Sequence, residues 1–228
     1  MSSPTSSGVP GSTGARSEPD DWSDVDLVRS GNLVELRAHT IANRTAFQRW
    51  YADDEIARLL RHDQQPLNAI QSRGYFDTII MPLSARGMCF AIHEAATGRL
   101  IGTTAITDVT GSDFRSGLFR IVIGEKDCWG RGLGTEATRL VMDEAFEQQD
   151  LDQIRLEVFQ HNTRAMAAYR RVGFQETGSH VEFVGRQRFE LHVTEMALGR
   201  DEYYERRSIM ADALPTEAQS SSDDPDRE

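Results

Sequence analysis

The segment Trp129-Gly-Arg-Gly-Leu-Gly-Thr-Glu-Ala137 sets three glycines between a strand-like run and an amphipathic helix. Glycine has no Cβ, so the backbone there bends tightly and lets a ligand approach closely. The first N–H groups of a helix lack internal partners, and the helix dipole adds positive potential at the same end. A pyrophosphate suits such a terminus, with Arg131 beside it for added charge. The same letters also allow a plain glycine-rich turn. A P-loop needs Lys-Ser/Thr after its last Gly, and Thr135-Glu136 stands there instead. A dinucleotide fingerprint remains as a minor alternative, because Gly132-x-Gly134-x-x-Ala137 matches its letters. That motif normally follows a strand directly and opens a βαβ unit, whereas Glu125 to Trp129 intervene here.

The surrounding order of elements narrows the fold. Leu33 to Arg37 alternates like a short strand, and Thr40 to Leu60 carries apolar residues at helical spacing with a break near Asp53. Pro66 precedes a further helical stretch, Leu67 to Ile80, which Pro82 is expected to close. The period then changes. Cys89 to Glu94, Leu100 to Asp108 and Gly117 to Gly124 read as strands of an antiparallel meander, with turns at Ala96-Thr97-Gly98 and Gly111-Ser112-Asp113. A helix over about 134–149 follows, striped by Ala137, Leu140, Val141, Ala145 and Phe146. A strand at Ile154–Phe159, a helix at Thr163–Val172 and strands around 174–184 and 188–198 complete the pattern. This is an α+β chain: a mixed, mainly antiparallel twisted sheet flanked by helices, not a doubly wound parallel one.

Composition divides the 228 residues into a Ser/Gly/Pro-rich lead (1–26), one domain (27–204) and an acidic tail (205–228), both flanks read as disordered. The net charge of −11 suggests a basic partner until it is mapped. Residues 1–26 carry a net −4 and residues 211–228 a net −5, so the acidity belongs to the flanks. The lead has neither a basic start nor an apolar run, and no stretch has the length of a membrane span. A cytoplasmic protein without nucleic-acid or membrane partners is expected. Cys89 and Cys128 lack zinc-ligand spacing, and a core role fits each better than a nucleophile; no metal is expected.

Three segments together resemble the GCN5-related N-acetyltransferase superfamily, over about Leu33 to Tyr204. They are Trp129 to Ala137, Leu156-Glu157-Val158, and Asn162-Thr-Arg-Ala-Met-Ala-Ala-Tyr169-Arg-Arg-Val-Gly-Phe174. The likeness is to the bacterial branch that acetylates ribosomal-protein N-termini, polyamines and some antibiotics. The family's Gln/Arg-x-x-Gly-x-Gly/Ala loop aligns with Trp129-x-x-Gly132-x-Gly134, Trp129 departing at the first position. The resemblance implies acetyl transfer from acetyl-CoA, as co-substrate, to a primary amine by direct attack. A homodimer is common in such proteins.

The resemblance also implies roles for residues that have simpler readings. Asn162 is placed to cap the helix at Thr163, and the family adds a pantetheine contact. Tyr169 shares a helical face with Ala165 and Val172 and reads as core on pattern alone; the family makes its hydroxyl the acid for the departing thiolate. Glu157 points opposite to Leu156 and Val158 and reads as a surface carboxylate. In the family it can be the general base, with Glu125 or a water chain as alternatives. Backbone groups at Val122, Ile123 and Gly124 would bind pantetheine and polarise the thioester, while the helix start at Arg131, Gly132, Leu133, Gly134 and Thr135 would hold the pyrophosphate, with Trp129 and Gly130 also on the cofactor. The family's acceptor pocket corresponds to about 40–80 and 180–190, where Arg44, Arg49, Arg58, Arg61 and Arg73 mix with Asp53, Asp54 and Glu55. That mixture chooses no acceptor. A non-catalytic CoA-binding sensor or interaction domain is the alternative.

Overall fold

The computed structural model describes residues 27–185 and 189–212. The expected lead and the end of the expected tail lie outside the described residues. Eight strands form one sheet in the order β1-β2-β3-β4-β5-β6-β8-β7. They are β1 (Leu27–Ser30), β2 (Val34–Arg37), β3 (Cys89–Glu94), β4 (Leu100–Thr110), β5 (Ser116–Ile123), β6 (Gln153–Phe159), β7 (Gln175–Val184) and β8 (Phe189–Gly199). Every pairing is antiparallel except β5 with β6. That pairing covers only Ser116–Leu118 against Gln153–Arg155, while both strands run on. A cleft therefore opens in the middle of the sheet.

Helices cover both faces because the central strands β3 and β4 are buried on both. In β5, Phe119 packs with the cluster that holds Leu133, Val141, Ile154 and Tyr169, while Val122 packs with Phe47, Trp50, Tyr51 and Phe76. The first cluster seats α5 (Leu133–Glu147) and α6 (Thr163–Val172); the second seats α1 (Arg44–Tyr51), α2 (Asp54–Leu60) and α3 (Ala69–Tyr75). Each fully buried side chain of this size contributes about 1.5–3 kcal/mol.

Local chemistry sets the boundaries. Asp53 breaks the first helical stretch because its side chain caps α2, accepting from the N–H groups of Glu55 and Ile56. Pro82 does not close the third helical stretch as expected. A π-turn over Phe76–Ile80 carries the chain into α4 (Met81–Ala85), with Pro82 in that helix's first turn, where no N–H is needed.

Two elements go beyond the expected pattern. β1 is four residues long, and α7 (Arg200–Asp212) continues past the expected domain limit at Tyr204. α7 is anchored by Tyr203, whose hydroxyl donates to Asp143 (2.9 Å), and by the pairing of Arg207 with the same carboxylate. Among the described residues no helix is long and apolar enough to cross a membrane.

Candidate active site

The cleft between β5 and β6 is the mouth of a cavity that runs from the glycine-rich turn to the far end of β6. Its wall includes Val122, Ile123, Trp129, Gly130, Gly132, Gly134, Thr135, Glu157, Asn162 and Tyr169. Residues called from three separate motifs therefore meet at one place. Gly130 and Gly132 adopt left-handed φ values of 77° and 85°, which only glycine takes at little cost. The turn leaves the N–H groups of Leu133, Gly134 and Thr135 without an acceptor among the described residues. Trp129 ties this turn to the strand, its indole donating to the Ile123 carbonyl at 2.7 Å. The Arg164 guanidinium lies 3.8 Å over the Trp129 ring, at the same end of the cavity. It has no ion pair among the described residues, and burial lowers its pKa.

Some expected residues are engaged elsewhere. Arg131 pairs with Glu94 at 2.5 Å and is not part of the wall. Leu133 is core, 2% exposed. Gly124 backs onto Trp50, where an added Cβ would come within 2.1 Å of the indole. The Glu125 carboxylate is held by Arg49, by the Trp50 indole (2.8 Å) and by Arg99 (3.1 Å), off the cavity wall. Glu136, a motif residue, accepts from the N–H groups of Asn32, Leu33 and Val34 and so closes the β1–β2 turn.

Tyr169 is 8% exposed and packs edge-on against Phe119 and Phe174. Its hydroxyl has no hydrogen-bond partner among the described residues, and burial raises its pKa, so the phenol stays protonated. Asn162 caps α6 by accepting from Ala165 N–H at 3.2 Å and also lines the cavity. Cys128 is buried beside the turn; burial raises its thiol, and burial pushes Cys89 up to about 12, so neither is a ready thiolate.

At the far end stands a residue that the sequence pattern did not flag. His62, just after α2, places Nδ1 2.7 Å from Glu182 and Nε2 3.6 Å from Glu157. Its ring meets Phe159 edge-on. Glu182 also faces His180 at 3.2 Å, which reaches Glu195 at 2.8 Å. Hydrogen bonds from His62 and then His180 hold the Glu182 carboxyl below its usual range, and those to Glu182 and Glu195 raise His180. Imidazoles and carboxylates thus alternate across one half-exposed face of β6, β7 and β8, from Glu157 through His62, Glu182 and His180 to Glu195, which is paired across the strands with Glu157.

Comparison with known proteins bears on the family and the fold. The family model described as "Acetyltransferase (GNAT) domain" matches residues 34–175. A "Probable N-acetyltransferase YjcK" of Bacillus subtilis is 35% identical over 92 residues, 39% of this chain and 49% of that protein. The match thus spans about half the length of that relative. Among solved structures, spermidine N-acetyltransferase from Vibrio cholerae, in complex with CoA and spermine, superposes with a TM-score of 0.64 at 20% identity. It covers 76% of this chain and 99% of that one. RimJ of Mycobacterium smegmatis, in complex with CoA-disulfide, gives 0.63 at 20% identity, over 78% and 89%. At such identities these two speak for the fold.

Proposed function

Because the chain belongs to the GNAT acetyltransferase family, we propose that it moves an acetyl group from acetyl-CoA to a primary amine. The observation that carries this reading is the meeting, in one cleft, of a donor-rich glycine turn and a buried, unpartnered phenol. Both structural neighbours named above hold CoA or its disulfide. The wall suits that co-substrate: open N–H groups of Gly134 and Thr135 and the Arg164 cation for phosphates, and a mostly apolar channel for the pantetheine arm.

The co-substrate supplies an acyl thioester and a thiolate leaving group. The protein's groups do the rest. The Ile123 N–H, which alternates with the Gly124 N–H bound to the Ile101 carbonyl and so turns away from β4, polarises the acyl carbonyl. Tyr169 donates its proton to the departing sulfur, and its apolar surroundings exclude water that would compete with the amine. An alkyl ammonium, with a pKa of about 10, must lose a proton before it attacks. Glu157 accepts it, directly or through water, and His62 bridges Glu157 and Glu182. Transfer is direct, with no acyl-enzyme.

A CoA-thiol release assay over amine acceptors tests the proposal. Amine-dependent release supports it; acetyl-CoA binding without release from any acceptor favours the sensor.

A further inference from the structure

A second cavity of about 490 Å³ adjoins the first, sharing Leu60, His62, Arg120, Ile121 and Val122 with it. It lies under α1, α2 and α3 on the side of the sheet opposite Tyr169. Arg120 reaches it because β5 alternates: Phe119 enters the Tyr169 cluster, so its neighbour faces the helices together with Val122. The arginines expected at the acceptor side are already engaged. Arg44 and Arg73 pair with Asp77, Arg49 with Glu125 and Arg61 with Asp63, while Arg58 donates to the Asp54 carbonyl. Arg120, exposed at the cavity's edge between the apolar Phe119 and Ile121, has no acidic partner among the described residues.

The polar groups around Arg120 are mostly donors. Tyr51 and Tyr75 line the cavity with hydroxyls that have no hydrogen-bond partner among the described residues, and Gln71 keeps its amide N–H₂ free. Asp63, the one carboxylate on this wall among the described residues, is held by Arg61 through two hydrogen bonds. The opposite chemistry stands at His62, where Glu157 and Glu182 converge. A donor-rich pocket next to an acidic one suits a ligand with a negative group and an ammonium a short distance apart.

We infer that the second cavity is a subsite for the carboxylate of a small acceptor whose amine is presented near Glu157. The guanidinium of Arg120 grips the carboxylate, with the Tyr51 and Tyr75 hydroxyls completing its hydrogen bonds. This deepens the acetyl-transfer reading and rests on it for the amine's position. A polyamine, cationic at every nitrogen, meets Arg120 unfavourably.

Matched triads of acceptor test the subsite: an amino acid, its carboxamide, and the amine that lacks the carboxyl group, with spermidine and an alanine-started peptide alongside. The amino acid is expected to exceed its amide and amine in kcat/KM by about tenfold or more, the worth of one charge-assisted hydrogen bond. Arg120→Gln should bring that ratio toward one, and Arg120→Lys should keep part of it. Equal rates across the triads, or preference for spermidine or the peptide, would overturn the subsite and leave acetyl transfer standing. Calorimetry with the free amino acids reads the subsite without turnover. Binding that Arg120→Gln weakens, with no thiol release, would sustain the subsite and overturn acetyl transfer. Failure of the wild-type protein to bind any of them better than the matching amine would overturn the subsite.

Discussion

The guanidinium of Arg164 lies 3.8 Å over the ring of Trp129. Trp129 opens the glycine turn, and its indole is bound to the Ile123 carbonyl. Arg164 reaches that corner from α6 with no ion pair among the described residues, whereas Lys126, 5.9 Å from the same ring, is held by Asp53 and Glu55.

Arg164→Gln should therefore raise the Kd for acetyl-CoA about tenfold, as loss of a charge-assisted contact to phosphate does. The loss should shrink at high salt. It should also be larger for acetyl-CoA than for an acetyl-pantetheine analogue that lacks the nucleotide. Equal weakening of both ligands, read by calorimetry, would place Arg164 outside the phosphate corner.

The two carboxylates named from sequence part company in the structure. Glu157 lines the cavity and meets His62, while Glu125 is clasped by Arg49, Trp50 and Arg99. Glu157→Gln should lower kcat/KM at neutral pH by about a hundredfold, within the usual range for a general base. Glu125→Gln should instead destabilise the fold by about 1–3 kcal/mol, since it loosens a cluster of hydrogen bonds. Steady-state rates and urea unfolding of the two variants separate the roles; the reverse pattern would exchange them.

His39 gives the fold an acid limit. Burial lowers its pKa to about 4, and Asn43 and Thr103 occupy its two ring nitrogens. The unfolded chain binds a proton below about 6.5 and the folded chain does not, so stability falls as pH drops from about 6.5 to about 4. The loss is on the order of 3 kcal/mol across that window. Urea midpoints at about pH 7 and about pH 4.5 should show it, and His39→Gln should flatten that part of the slope. An unchanged slope would remove His39 as its source.

Gly124 tests the close approach of β5 to α1. A Cβ there would meet Trp50 within 2.1 Å, and Trp50 in turn holds Glu125. Gly124→Ala should cost about 1–3 kcal/mol as an overpacking change, seen as a lowered Tm. A neutral substitution would mean that the Trp50 ring yields freely.

The sequence pattern yielded β3, the break at Asp53, α6 with its Asn162 cap and the glycine turn, because each is a local signal: alternation, a capping side chain, glycines at fixed spacing. Tyr169 and Glu157 are named for the cleft through the family resemblance. What it missed depends on distance. The short β1 exists because Glu136 binds the turn after it, and α7 is anchored through Asp143. His62 meets Glu157 and Glu182 only after α2 docks beside β6 and β7. Arg120 did carry a local sign, a lone cation in an apolar strand, but its meaning needs the cavity beneath the helices. Arg131, assigned to phosphate from its place in the glycine turn, pairs with Glu94 on β3 instead. No spacing rule reveals that partner.

The central claim is acetyl transfer to an amine with Tyr169 as the acid. It is tested most directly by amine-dependent CoA-thiol release from the wild-type protein and Tyr169→Phe, read beside the acetyl-CoA Kd of each. The account predicts a kcat lower by about a hundredfold or more in the variant, with acetyl-CoA binding unchanged within about twofold. Equal kcat in the two proteins would contradict it.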